Sequence, residues 1–324
     1  MTSTRCDVLL PVREARRTLP WAVRDILAQE HIDLRIIAVV DTASDGHDDG
    51  SADWLRSTAR KERRIQVLEG TGQGAAAALD LALAETRAPL VSHMEADDRC
   101  PPDRLARLAS ALHDGLDGVT SRAAQFGART AGMRRYLDWQ NSLLTGETMS
   151  RERFVEIPAL HQTGLYRRTA LESVGGYGVS GPWPVDIDFW LRWFEHERPI
   201  AKLPRVLYRW RQHSRQSTRS GAAHSLDNLR AAKIAGLARW LGPEGHQPTP
   251  LHLVSTGKTL ETWGRDLTEA GILLAAQSTW RPGEPVPQRS SGSRFLAVYG
   301  TPAVRERYAG ALTQDERMKL IFAA

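Results

Sequence analysis

An open α/β sheet, mostly parallel and flanked by helices, is the fold class that this 324-residue sequence predicts. Short β-type apolar runs alternate with helical patterns through the first 113 residues, at spacings that suit crossover connections rather than hairpins. Each run ends in a polar or acidic loop, and sheets of this kind bind ligands beyond the carboxyl ends of their strands. The composition agrees: 41% hydrophobic and 25% charged residues describe a globular chain with a packed core, not a disordered or fibrous one.

DVLLPV (7–12) predicts the first strand, and Leu19, Ala22, Val23, Ile26 and Leu27 recur at helical spacing within 18–29. LRIIAVVD (34–41) predicts the second strand, followed by a polar loop and a helix over 52–60. IQVLEG (65–70) leads into the Ala/Leu-rich helix 74–86, and APLVSHME (88–95) leads into PPDRLARLASALH (101–113), whose prolines suit a first helical turn. Residues 120–160 are less regular. From about 161, TGLYRR predicts a short strand, DIDFWLRWFEHE (186–197) an amphipathic helix, AKLPRVLYRWRQH (201–213) a strand, and 222–241 a helix. GPEGHQPTP (242–250) carries the Pro and Gly of a linker. The expected division is therefore a domain over 1–241 and a small α/β module over 251–324.

Lys+Arg number 43 against 38 Asp+Glu, a net charge of +5. No finger, basic-zipper or RNA-recognition motif accompanies that excess, so anionic small molecules or acidic lipids account for it and nucleic acid is not an expected partner. Cys6 and Cys100 stand alone, without zinc spacing or a disulfide framework, which fits a reducing compartment. The apolar stretch at the start is too short for a signal peptide, and nowhere do eighteen apolar residues run together. The expected location is the cytoplasm; contact with the inner face of a membrane and self-association are both compatible with the composition.

The chemistry concentrates in HMEADDRCPPDRL (93–105), where Glu95, Asp97 and Asp98 follow the hydrophobic run of a strand. Carboxylates crowded at a strand end suit Mg²⁺ or Mn²⁺, hard cations held by one or two carboxylates together with substrate phosphates. The plainer alternative is a solvated acidic turn capping the next helix.

LLPVREARRTLPWAVRDILAQ, RIIAVVD and GAAAALDLALAETRAPLVSHMEADDRCPPDRLARL, then LYRRTALESVGGYG, VDIDFWLRW and LYRWRQHSRQS, resemble in order the motifs of the inverting family 2 glycosyltransferases with the glycosyltransferase A fold. The resemblance spans about residues 6–220. It implies a nucleotide-binding half over about 1–120, an acceptor half over about 121–241, a nucleotide-diphosphate sugar donor (a UDP-sugar above all), a glycan, lipid or small-molecule acceptor, and Mn²⁺ or Mg²⁺. Polysaccharide or glycolipid synthesis is the family-level expectation.

Position by position, the resemblance puts Pro11 and Val12 against the nucleotide base. Asp41 stands at an aspartate of the family's DDGS loop, but Thr42 and Ala43 follow it and DDGSAD appears at 48–53, so Asp41 and Asp49 are alternatives for the nucleotide. The acidic motif reads Asp-x-Asp-Asp in the family and Glu95-Ala96-Asp97-Asp98 here; it implies ribose and metal contact for Asp97 and direct metal coordination for Asp98. Asp80 stands where many relatives have Asn, and His93 where they often have Arg. Asp186 matches the aspartate of the family's ED pair, with Val185 in place of the glutamate, and is the implied general base; Asp188 is an acceptor-orienting or structural neighbour. A helix cap is the alternative for such a carboxylate. Arg209, Arg211, His213 and Arg215 suit a diphosphate, with His213 reaching the metal or the leaving phosphate. Gly176, in Gly175-Gly176-Tyr177, lets backbone approach a sugar or simply ends a helix. Trp183 is an acceptor-contact candidate, whereas Trp190 and Trp193 at helical spacing read as core.

VSTGKT (254–259) lacks the earlier glycine of a phosphate-binding loop, which falls on His252. The 251–324 module therefore reads as a worn Rossmann-like unit for packing or partner binding. Two other classes stay in view: a sugar nucleotidyltransferase, which should carry a glycine-rich, lysine-bearing loop absent from LLPVREARR, and a non-catalytic sugar-nucleotide or partner-binding relative, suggested by Thr42, Asp80, Glu95 and Val185.

Overall fold

The computed structural model describes residues 4–41, 49–128, 130–213, 222–242 and 249–324. The elements of the first part are β1 (Arg5–Val12), α1 (Leu19–Leu27), β2 (Asp33–Val40), α2 (Ser51–Ala59), β3 (Ile65–Glu69), α3 (Ala75–Ala84), β4 (Leu90–His93), α4 (Arg104–Ala111) and β5 (Gly118–Gly127). They are followed by α5 (Ala131–Ser142), α6 (Gly146–Glu152), β6 (Leu165–Arg167), α7 (Arg168–Ser173), α8 (Val185–Glu195), β7 (Ile200–Gln212) and α9 (Leu226–Leu241). The last part holds β8 (Leu251–Ser255), α10 (Gly257–Glu269), β9 (Leu274–Thr279), β10 (Arg294–Val298), α11 (Pro302–Gly310), α12 (Gln314–Met318) and β11 (Leu320–Ala323). Two compact units emerge: 1–148 with 159–180 and 196–221, and 149–158 with 181–195 and 222–324. The helix that carries Asp186 thus groups with the unit of the small sheet, which is larger than the module expected at 251–324.

The first unit is built on a seven-stranded sheet in the order β3-β2-β1-β4-β6-β5-β7. All neighbours are parallel except β6, which runs antiparallel between β4 and β5. β1 and β2 read as near-continuous apolar runs because helices cover both faces of parallel strands; seven of the eight β1 residues are buried. Pro11 is tolerated in this central strand for a specific reason. Leu9 bonds toward β4 and Val12 toward β2, through Met94 N–H→Leu9 O (3.0 Å) and Asp41 N–H→Val12 O (2.9 Å). Pro11 shares the parity of Leu9, but β4 ends opposite Leu9, so its missing N–H breaks no ladder bond.

The stretch expected to be less regular contains β5, ten residues that pair with β7 through a register shift around Arg122. The two cysteines are buried and free, and burial pushes the Cys6 thiol well above the ordinary range.

In the second unit a four-stranded sheet runs β11-β10-β8-β9 with every pair parallel. α8 packs on α9 where Gly236 lies close to Leu191; a Cβ there would stand 3.0 Å from a Leu191 methyl carbon. Trp190 and Trp193 are 1% and 0% exposed, as core residues at helical spacing should be. Among the described residues no helix is long and apolar enough to cross a membrane.

Candidate functional site

The carboxyl ends of β1, β2, β3 and β4 lie along one rim of the seven-stranded sheet, where the topology places ligands. The acidic loop is fixed there from two directions. Arg99 exchanges backbone hydrogen bonds with Arg209 of β7 (N–H→O 3.1 and 2.8 Å), and its guanidinium makes a two-bonded ion pair with Asp25 of α1 (2.5 and 3.1 Å). Beneath it, the buried Arg104 donates to Ser92 Oγ (3.1 Å), His93 O (3.2 Å) and Gln162 O (2.6 Å), and lies over the Tyr208 ring at 5.0 Å.

Asp98 is 1% exposed and both of its oxygens are engaged inside the protein. Tyr208 O–H donates to Oδ2 at 2.7 Å and Arg211 N–H to Oδ1 at 2.6 Å, while the Glu95 amide donates to the same Tyr208 oxygen at 3.2 Å. Burial, and then the Asp97 charge, push its pKa well above the usual carboxylate range despite those bonds. With both oxygens bonded to Tyr208 and Arg211 the side chain shapes the loop, and it is the less accessible of the two neighbouring aspartates.

The Asp97 side chain is 27% exposed, its Oδ2 lies 3.1 Å from His213 Nε2, and Arg211 Nη1 approaches to 3.9 Å. Burial first and the Glu95 charge second raise its pKa, against the pull of His213 and Arg211. Carboxylates crowded in a half-desolvated loop are stabilised by added positive charge. Among the described residues no closed cage of three or more His, Cys, Asp or Glu converges on one point. A cation that shares its shell with substrate phosphates and water needs only one or two protein carboxylates, so Asp97 and His213 fit an open site of that kind. Glu95 meets a different partner: its Oε1 lies 3.1 Å from Nε2 of the fully buried His93, whose ring is tilted against that of His161 with centroids 4.8 Å apart. Burial, then His93, hold the His161 pKa well below its ordinary value.

The two nucleotide candidates both clamp loops. Buried Asp41 accepts the amides of Gly72 (2.8 Å) and Gly74 (3.0 Å), closing the turn after β3 against the end of β2. Exposed Asp49 accepts the Arg16 amide (2.9 Å) and the Ser51 amide (3.1 Å), tying the loop after β1 to α2. Burial pulls the Asp49 pKa upward, but the bonds from Ser51 and Arg16 outweigh it and hold the carboxyl below its ordinary value. Pro11 and Val12 are buried at the end of β1, and the Arg209 side chain is exposed on β7. Arg215 lies outside the described residues, as do Thr42 and Ala43.

Asp80 now has a clear local role. Its Oδ1 accepts the Tyr177 amide at 2.6 Å, beneath a turn in which Gly175 and Gly176 adopt φ of +80° and +65°. A Cβ on Gly176 would come within 2.5 Å of that oxygen, so the turn requires glycine on both counts.

The remaining candidates belong to the second unit. Asp186, half-buried in the first turn of α8, accepts the Ile187 amide on Oδ1 at 3.0 Å. Asp188 is 1% exposed and accepts Trp183 Nε1–H (3.0 Å) and Arg192 Nε–H (2.9 Å). Trp183 is thereby anchored by its indole nitrogen. Tyr208, Asp25, Arg99 and Arg104 went unassigned in the sequence because their partners are far along the chain; only the aromatic before Arg209 hinted at Tyr208.

Residues 7–175, just over half of the chain, match the family model described as Glycosyl transferase family 2. A Bacillus subtilis (strain 168) protein named "Putative glycosyltransferase EpsE" is 25% identical over 232 residues, covering 69% of this chain and 79% of its own. Among solved structures, S. aureus TarS 1-349 in complex with UDP-GlcNAc superposes with a TM-score of 0.59 at 12% identity, over 82% of this chain and 71% of that one. The mannosyltransferase PcManGT from Pyrobaculum calidifontis, in complex with GDP-Man and Mn²⁺, gives 0.51 at 15% identity, over 82% and 69%. Against the longer TarS chain the TM-score is 0.56 at 11% identity, over 75% of this chain but only 40% of that one. At such identities the structures establish a common fold, the mostly parallel glycosyltransferase A sheet. The acidic loop, the strand order and the family match converge: the chain belongs to glycosyl transferase family 2.

Proposed function

We propose that the chain is a metal-dependent, inverting hexosyltransferase that moves a sugar from a nucleotide diphosphate, UDP in the first instance, to a hydroxyl acceptor of a surface polysaccharide or glycolipid. The observation that carries this reading is the crowded acidic loop at the sheet rim, where Asp97 stands against His213 and Arg211. The TarS complex with UDP-GlcNAc and the mannosyltransferase complex with GDP-Man and Mn²⁺ lend support by their shared fold. Asp97 and His213 would hold the cation, Mn²⁺ or Mg²⁺; its chemistry is to neutralise charge on a departing diphosphate. Asp98 sets the shape of the loop, and Arg211 and Arg209 offer guanidinium bonds to phosphate oxygens.

Transfer is a single in-line displacement. An acceptor oxygen forms a bond to the anomeric carbon as the bond to the diphosphate oxygen breaks, and Asp186 accepts the hydroxyl proton that is released. Asp41 or Asp49 serves the nucleotide, Gly176 lets backbone approach the sugar, and Trp183 is the acceptor contact. Residues 1–241 hold the catalytic machinery on this reading and 251–324 an accessory module. The enzyme works in the cytoplasm, on acceptors at the inner face of the membrane.

Purified protein is incubated with a panel of nucleotide sugars, with Mn²⁺, Mg²⁺ or EDTA, and nucleoside diphosphate release is measured. Metal-dependent release of UDP is expected; pyrophosphate-dependent exchange, or binding without turnover and without metal dependence, would displace the proposal in favour of the other two classes.

A further inference from the structure

The four-stranded sheet of the second unit changes direction at its centre. β8 leads through α10 to β9 on one side, and the chain then crosses back to place β10 and β11 on the other. Parallel sheets form their ligand crevices at this point, outside the carboxyl ends of the strands. A crevice of about 360 Å³ opens there. Its volume falls in the range of small-molecule sites, about 300–1,000 Å³.

The wall chemistry is one-sided. Thr256, Thr259, Trp280, Arg281 and Tyr299 line the crevice, and among the described residues no Asp or Glu does. The Arg281 side chain is exposed and has neither an ion pair nor a hydrogen bond among the described residues; nearby Glu284 is turned to the Arg281 backbone amide instead (2.8 Å). The aromatic wall is preformed. Trp280 is 2% exposed, donates Nε1–H to Glu284 O (3.0 Å) and packs edge-on against Tyr308 at 4.9 Å, while Tyr299 O–H donates to Trp280 O at 2.9 Å. Ser255 Oγ–H ties β8 to Val298 of β10 (2.8 Å), and Arg305 Nη1 holds the loop at Tyr299 O (2.8 Å). α10 and α11 both begin beside the crevice.

We propose that this crevice binds a small phosphorylated molecule, its phosphoryl group on Arg281 and the threonine hydroxyls and its organic part along the Trp280–Tyr299 wall. The site is distinct from the acidic loop and does not rest on the glycosyltransferase reading. VSTGKT, which fails as a phosphate-binding loop by motif, supplies Ser255, Thr256 and Thr259 to it.

Titration calorimetry on the full chain in EDTA would compare inorganic phosphate, a hexose 1-phosphate and a nucleoside monophosphate. Saturable binding of at least one probe is expected, retained in Asp97→Ala and weakened tenfold or more in Arg281→Glu. Arg281 is exposed, so the variant should melt within a degree or two of the parent; Thr259→Asp provides an independent second block. Whichever organic phosphate outperforms inorganic phosphate identifies what the aromatic wall accepts, and equal affinities mean that the phosphoryl group alone is read. No saturation by any probe at millimolar concentration overturns the proposal, as does binding that survives Arg281→Glu and Thr259→Asp or disappears in Asp97→Ala.

Discussion

The acidic loop after β4 and the first turn of α8 lie in different compact units, yet they sort their aspartates alike. In the loop, Asp98 is 1% exposed and spends both oxygens on Tyr208 and the Arg211 amide, while Asp97 keeps a 27% exposed side chain. In the helix, Asp188 is 1% exposed and spends both oxygens on Trp183 and Arg192, while Asp186 is half-buried. Each region thus pairs a carboxylate buried against protein donors with a more accessible one. A carboxylate whose lone pairs already face protein donors gains little from a ligand, and removing it strands those donors. Motif spacing records that two acids are present; burial tells them apart.

The comparison is broken most sharply at Asp186. If it is the base, Asp186→Asn should lower kcat by roughly 10²–10⁴-fold, the usual contribution of a positioned general base, with donor affinity and melting temperature unchanged. Steady-state turnover beside calorimetric titration of UDP decides this, and full activity in the variant would remove Asp186 from the mechanism. Asp97→Ala comes next: metal-dependent nucleotide binding should weaken roughly 10–100-fold, the value of a charge-assisted contact, again without loss of fold. Unchanged Mn²⁺-dependent binding would return the metal role to Asp98.

The buried partners should behave in the opposite way. Asp98→Ala and Asp188→Ala should each cost about 1–3 kcal/mol of stability, because each removes a buried acceptor that serves two donors. Urea denaturation measures this, and a variant as stable as the parent would show that the two-and-two division is wrong. Asp188→Asn is the sharpening case, since it keeps an acceptor for Trp183 while removing the charge opposite Arg192.

Much of the fold could be read before any coordinates because β1 to β4 are short apolar runs separated by helices, and burial on both faces makes that pattern loud. β5 was silent for a physical reason. Its buried positions include Thr120, Ser121 and Ala123, and its strand character comes from pairing with β7 about eighty residues later. The site divides similarly. Asp97 and His213 stood out by residue type, and the structure brings them to 3.1 Å. The burial of Asp98 depends on Tyr208, 110 residues away, and the role of Asp80 on the Tyr177 amide, 97 residues away. Local spacing carries no trace of such partners, which explains why an unexpected Asp80 had no reading in the sequence alone.

A buried cation extends the comparison to a group of the other sign, with the smallest expected effect. Lys202 on β7 is 4% exposed and donates from Nζ to Gln140 O at 2.5 Å. Burial, and then the charge of Arg122, lower its pKa from 10.5 to about 7. Above about pH 7 the folded chain therefore holds Lys202 neutral, while the unfolded chain keeps that proton until about pH 10.5. The unfolded state binds more protons throughout this window, so stability rises with pH across it, by about 1 kcal/mol between pH 7 and pH 8 from this residue. Below the window the folded state carries a buried charge and the contribution reaches its least favourable value. Lys202→Met removes the titrating group, and the difference between parent and variant isolates Lys202 from every other group that titrates there. Relative to the variant, the parent should gain stability from pH 7 to pH 8 in urea denaturation; a difference that stays flat would mean that Lys202 remains charged in the folded protein.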